Sequence, residues 1–300
     1  AKKMHSEHIL LPIAKLDNIE KLLEFSSYIK DKKSANPISI LSVVSNNEEA
    51  EMNIVKTRNR LEEYVRQASA SETNVNVITT IDHNAASGIS RISREIMADI
   101  IVLGWPRRKN LINKLIGQKL DIILSNTDKC IFICHLEKPL ALHKRVLITV
   151  PPFAEHETGF KSWLKKTAQL AQELSIPIQL YCEEQSKKHI ERIFKKEKLS
   201  ASLHITLFED WEDFLILARY IREDDLFILV SARKGATSYM NMLENLPVKL
   251  EKHFSLNSKI IIYPKQFNQN YIGQSYDNIT TEPLNKGIET IQKIGKGIGN

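Results

Sequence analysis

The sequence predicts an α/β protein built as two tandem open parallel sheets packed about a pseudo-two-fold axis, and three observations carry that expectation. Short apolar runs, each too short for a helix, alternate along the chain with segments of helical hydrophobic period. The same order of runs begins again after residue 142, at a period near the size of one domain, which points to a duplication and not a solenoid. The length of 300 residues, with 42% hydrophobic and 26% charged, suits about two soluble domains.

Taken in order, His8 to Ala14 (HILLPIA) forms the first strand, and Asp17 is placed to cap a helix whose apolar face runs through Ile19, Leu22, Leu23, Phe25 and Ile29. Asn36-Pro37 ends the connection, and Ile38 to Val44 is the second strand. A charged helical segment follows from about Glu48 to Ala68, with Ile54, Leu61 and Val65 as its inward stripe. Val75 to Thr80 is the third strand, and Ser87 opens a helix through Ile89, Ile92, Ile96 and Met97. Asp99 to Leu103, closed by Gly104, has the pattern of a parallel strand covered on both faces. Trp105-Pro106 stops it, and Arg107, Arg108 and Lys109 put three positive charges where the loop leaves the sheet. Leu111, Leu115, Leu120 and Ile123 then give a helical period into a last strand, Cys130 to Cys134. In an open α/β sheet, ligands sit in the crevice outside the carboxyl ends of such strands.

After a linker at Leu136 to Leu142 the order repeats. Arg145 to Pro151 matches the first strand, Pro177 precedes Ile178 to Cys182 as Pro37 precedes Ile38, and Ile205 to Phe208 matches the third strand. Trp211 to Ile221 stands for the third helix, Asp225 to Val230 echoes Asp99 to Leu103, Ser231 takes the place of Gly104, and Lys259 to Tyr263 closes the second sheet. The expected domains are residues 1–136 and 143–264, with 265–300 a polar tail expected to be mobile. Both last strands are apolar and would otherwise lie at sheet edges, so they are expected to cover each other, antiparallel, within the chain.

Gly104, Arg107, Gly117 and Gln118 lie at spacings of three, ten and one. This resembles the C-terminal signature of the universal stress protein (UspA) family: a glycine, two residues, a second glycine, nine residues, then glycine and serine or threonine. The resemblance implies the adenine nucleotide alpha hydrolase-like fold, and in ATP-binding members these positions approach the phosphates. Here the middle glycine is Arg107 and the hydroxyl is Gln118. The aspartate usual at the end of the first strand is Ala14, and Pro151 in the second repeat. The second loop, SARKGATSYMNMLENLP, keeps no spaced glycines, and its Gly235 reads as a turn residue. Both loops carry basic charge, Arg107-Arg108 and Arg233-Lys234. The candidate ligand positions are therefore Gly104, Arg107, Arg108, Gly117, Gln118, Arg233 and Lys234, with arginine able to hold an anion by its side chain and exposed loop charge as the competing reading.

Other chemistry is missing from the sequence. None of the nine histidines stands in HExxH or with paired cysteines at metal spacing, and there is no Walker loop, GxSxG elbow or GxGxxG after a strand. His83, with Asp82, falls near strand ends but reads as polar surface, and Trp163 and Trp211 read as core. Three cysteines give no disulfide framework and suit a reducing cytoplasm. The net charge of +6 is spread over helices among glutamates, the pattern of a solvated surface, and no nucleic-acid partner is expected. No run approaches the roughly 18 apolar residues of a membrane span.

The resemblance implies a non-catalytic regulatory or sensory module without a resident cofactor. Paired, degenerate domains of this kind are similar to the C-terminal regions of bacterial monovalent cation (Na+ or K+):proton antiporters. On that reading the partner is a covalently attached membrane transport domain, the module lies on the cytoplasmic side of the inner membrane, and the start at Ala1 is the edge of a cut piece. The alternative is a free-standing tandem stress protein binding ATP or another adenine nucleotide; a nucleotide hydrolase is the third.

Overall fold

The computed structural model describes residues 5–14, 16, 19–68, 73–105 and 119–266. Its ten strands are β1 (Ile9–Pro12), β2 (Ile38–Ser45), β3 (Val75–Asp82), β4 (Ile100–Gly104), β5 (Cys130–His135), β6 (Arg145–Thr149), β7 (Ile178–Cys182), β8 (Leu203–Leu207), β9 (Asp225–Val230) and β10 (Ser258–Tyr263). The helices are α1 (Ile19–Ile29), α2 (Ala50–Ala68), α3 (Ala85–Glu95), α4 (Leu120–Asn126), α5 (Phe160–Glu173), α6 (Glu184–Glu197) and α7 (Leu246–His253), with short 3-10 turns between them. The expected cap Asp17, the helical residues Leu111 and Leu115, the loop residues Arg107 and Arg108, the signature positions Gly117 and Gln118, and the tail from 267 lie outside the described residues.

All strands join one sheet in the order β3-β2-β1-β4-β5-β10-β9-β6-β7-β8. Every neighbouring pair is parallel except β5 with β10, which run antiparallel with Ile133 opposite Ile261 and His135 opposite Lys259. Outward from this junction both directions repeat one connectivity, and the two apolar last strands satisfy each other's backbone groups instead of presenting two edges. Through residue 266 the chain forms one compact unit, with linker residue Leu140 buried inside it.

Alternating residues feed two cores. Leu11, Val102, Cys130, Phe132, Cys134, Ile228 and Ile260 point to one face, while Leu10, Ile101, Ile131, Ile133, Phe227 and Ile261 point to the other. β9 and β10 are buried at every residue, which is why Leu226 to Val230 and Ile260 to Tyr263 read as unbroken apolar runs. The halves also meet through helices. The carbonyls left at the end of α1 accept hydrogen bonds from α5: Ile29 from Lys166 Nζ (2.7 Å), Tyr28 and Lys30 from Gln169 Nε2 (2.7 and 2.9 Å).

Two local expectations are corrected. α3 begins before Ser87, because Asn84 is the N-cap and its side chain accepts from the Ser87 amide at 2.9 Å. Met97 does not face the core: it takes φ 51° and is exposed, with Ala98 N donating to Ser93 O at 2.8 Å. It is the left-handed residue that closes the helix. The stripe of α2 holds at Leu61 and Val65, while Ile54 is half-buried. Trp163 and Trp211 are both core.

Candidate functional site

Chain order reverses between β1 and β4 in the N-terminal half and between β6 and β9 in the C-terminal half, so each half has a crevice at those strand ends. In the N-terminal half, β1 ends at Pro12 and the amide of Ile13 donates to Leu41 O at 2.8 Å, which turns Ala14 outward. A cleft of about 370 Å³ opens there, lined by Ile13, Ala14, Leu16, Ser42, Leu61, Thr57 and Arg60. Among the described residues its polar groups are two hydroxyls and one guanidinium, a set that tolerates an anion. Gly104 ends β4, and a β carbon there would meet Leu22 Cδ1 at 3.2 Å. Packing against α1 is thus one reason for glycine at this position. Trp105 turns back into the core, where its amide donates to Cys134 O at 2.8 Å and its ring lies 5.9 Å from the Lys259 ammonium.

The C-terminal crevice is built differently. The loop from β6 to α5 begins Val150-Pro151-Pro152, passes through Phe153 at φ 64° and makes a 3-10 turn at Ala154–His156. That turn buries Glu155, whose carboxylate accepts from Ser186 Oγ on α6 at 2.6 Å. Glu157 then reaches the loop after β9, accepting from Ser238 N and Oγ, both at 2.8 Å, and from Gln266 Nε2 at 2.9 Å. Gly159 lies so close to the segment that follows β10 that a β carbon would meet Lys265 N at 2.4 Å. Burial, then Glu209 and Glu155, raises the carboxyl of Glu183, and burial with Glu155 pushes the Cys182 thiol to about 12. A phosphate placed here would meet carboxylates and a roof of backbone.

Arg233 corrects the picture of a shared, exposed basic loop. It is 7% exposed, and its guanidinium donates to Pro264 O, to Thr127 O (3.2 Å) and to Lys129 O. It fastens the loop after β9 to the turn between α4 and β5. Lys234 is exposed and pairs with Glu244 at 3.2 Å on the rim of a second cavity of about 230 Å³. Asp121, Ser231, Tyr239 and Tyr263 also line that cavity. Gly235 has φ +83° and open space around it, a turn glycine as expected. Arg107, Arg108, Gly117 and Gln118 fall outside the described residues. His83 is exposed, its amide bonded to Asp82 Oδ1. Among the described residues no group of histidine, cysteine and carboxylate is placed to hold a metal.

The closure of the C-terminal crevice was missed in the sequence. Its signal was the run PFAEHET, which places two glutamates in the loop after β6, where a ligand loop would be small and polar.

No protein-family model and no curated protein sequence matches the chain. Solved structures do. A universal stress protein from Archaeoglobus fulgidus superposes with a TM-score of 0.59 at 15% identity, over 87% of this chain and 97% of that one. A functionally unknown protein from Pseudomonas aeruginosa follows at 0.56 and 13%, over 87% and 93%. The cytoplasmic domain of a prokaryotic cation chloride cotransporter superposes at 0.55 and 9% identity, over 87% and 96%. The chain has the universal stress protein fold. Among the described residues no helix is long and apolar enough to cross a membrane.

Proposed function

We propose that the chain is a non-catalytic regulatory module of the universal stress protein fold, working as the cytoplasmic part of a monovalent cation:proton antiporter. The observation that carries this reading is the superposition, nearly end to end, on the cytoplasmic domain of a cation chloride cotransporter. The site chemistry supports it. The C-terminal crevice is closed by Glu155, Glu157 and Gly159, and the N-terminal one offers Ala14 where nucleotide-binding members would carry an aspartate. The hydroxyls that meet carboxylates in the C-terminal crevice, Ser186 on Glu155 and Ser238 on Glu157, are buried and tie loops together, which supports a non-catalytic reading.

The test is the parent coding region and its transport. Roughly ten or more apolar spans upstream, each of membrane length, are expected. Ion exchange measured in everted membrane vesicles should persist without the module but lose its regulation. A reading frame without such spans overturns the proposal.

A second reading, a free-standing protein that binds ATP or another adenine nucleotide, is favoured by one observation. The 370 Å³ cleft beside β1 with Arg60, Thr57 and Ser42 on its walls has room and polarity for part of such a ligand.

A further inference from the structure

We propose that the outward face of α6, with the ring of Phe153 beside it, docks on an anionic lipid bilayer surface. Residues 160–198 hold nine lysines and arginines against five glutamates, a net +4, and on α6 the cations gather on one face. On α6 itself Lys188, Arg192 and Lys196 recur at every fourth residue with Lys195 beside them, all exposed, while Ser186 and Ile190 are buried on the opposite side. The acids cancel this stripe only in part, at Lys188. Glu197 is held by Lys161 and Lys165 of α5, Glu184 lies 3.7 Å from Lys188, and Glu191 stands at the edge.

Phe153 supplies an independent observation. It is 56% exposed and sits at φ 64°, a conformation that a bulky side chain rarely adopts. Such a residue persists only where its surroundings dictate it. Here Pro151-Pro152 fix the approach, and the Glu155–Ser186 bond ties the following turn to α6. The Phe153 ring stacks 6.5 Å from His156, which lies 6.4 Å from His189 of α6. An aromatic ring held out beside a row of cations matches a bilayer interface: the cations meet lipid phosphates and the ring enters the acyl boundary. A nucleic-acid backbone would satisfy the cations alone. The proposal takes from the reading above only that a membrane is close by.

The test uses the chain alone with sedimented vesicles of phosphatidylcholine, with and without about a third phosphatidylserine. Binding to the serine-containing vesicles, weakening as salt rises, is expected, with none to phosphatidylcholine alone. Replacing Lys188, Arg192 and Lys196 together by glutamine should lower the partition about a hundredfold, and Phe153→Ala about tenfold. Lys56→Gln with Arg66→Gln on α2 should leave it unchanged. Circular dichroism and Tm identify any variant that has lost its fold, and the two independent sets of changes keep the test decisive. No partition into anionic vesicles, or partition indifferent to both sets, overturns the proposal. Capture of a labelled single-stranded oligonucleotide through the same residues, without vesicle binding, overturns it in favour of nucleic acid. Vesicle binding does not depend on what the parent gene encodes, so either reading can fail alone.

Discussion

The crevice of the N-terminal half and that of the C-terminal half sit on the same strand order and end in opposite chemistry. Six residues connect β1 to α1, and the space beside them stays open, edged by Ser42, Thr57 and Arg60. Ten residues connect β6 to α5, and they fold back: Glu155 is bonded to α6, Glu157 to the loop after β9, and Gly159 is pressed against Lys265. The difference teaches that two halves with one strand order, fixed by buried strands, can carry strand-end loops of opposite chemistry. The C-terminal crevice is closed as an intramolecular joint, and Arg233, buried at the seam, adds a second tie.

The two glycines give the largest contrast between the crevices. Gly159→Ala puts a methyl into backbone that cannot yield and should cost about 3 kcal/mol by urea unfolding. Gly104→Ala meets only the end of Leu22 and should cost under about 1 kcal/mol. Equal costs would mean the C-terminal crevice is no more closed than the other.

Next in size is Glu157→Ala, which leaves Ser238 N and Oγ without their acceptor and should cost about 2 kcal/mol. Limited proteolysis between residues 231 and 240 should quicken in that variant. Unchanged cleavage there would show that Glu157 does not hold the loop.

The pH dependence is smaller and touches both halves. Burial lowers the imidazole of His8, which is hydrogen-bonded to Ile96 O and Ser39, and likewise that of His143, bonded to Leu140 O. A histidine lowered in the folded state favours the neutral form. Its contribution is complete above the unfolded value near 6.5 and is lost as pH falls through the lower folded value. Stability should therefore decline below about pH 6.5. The slope should flatten in a His8→Gln, His143→Gln double variant. A profile that stays flat in the wild type would remove both groups from the account.

Much of this fold was legible in the residues. The apolar runs Ile100 to Leu103 and Leu226 to Val230 are buried on both faces, which is why they read as covered parallel strands. The two apolar last strands foretold a need for cover, which the β5–β10 register meets. Trp163 announced itself as core by its place on a helical face. Lys259 did not announce itself, because a lysine at a strand start reads as exposed. It is buried, donating to Phe254 O at 2.9 Å and lying 3.4 Å from Glu251. Arg233 misled for the same reason: two of its carbonyl acceptors, Thr127 O and Lys129 O, lie more than a hundred residues away, across the seam, where no local pattern records them. The candidate site was legible only as departures at Ala14, Pro151, Arg107 and Gln118. The acidic latch that closes the C-terminal crevice depends on loop geometry that spacing does not encode.

Titration calorimetry with ATP at millimolar concentration tests most directly the proposal that neither crevice binds nucleotide. With Ala14, Arg107 and Gln118 in place of the aspartate, glycine and hydroxyl of binding members, the shift from micromolar to millimolar affinity corresponds to about 4 kcal/mol. The account predicts no saturable heat tighter than the millimolar range for the wild type. It predicts the same for Arg60→Ala, which alters the only cation placed on the cleft wall among the described residues. A dissociation constant at or below the micromolar range, abolished by Arg107→Ala or Arg60→Ala, would contradict it and show that an arginine had been recruited to hold the nucleotide.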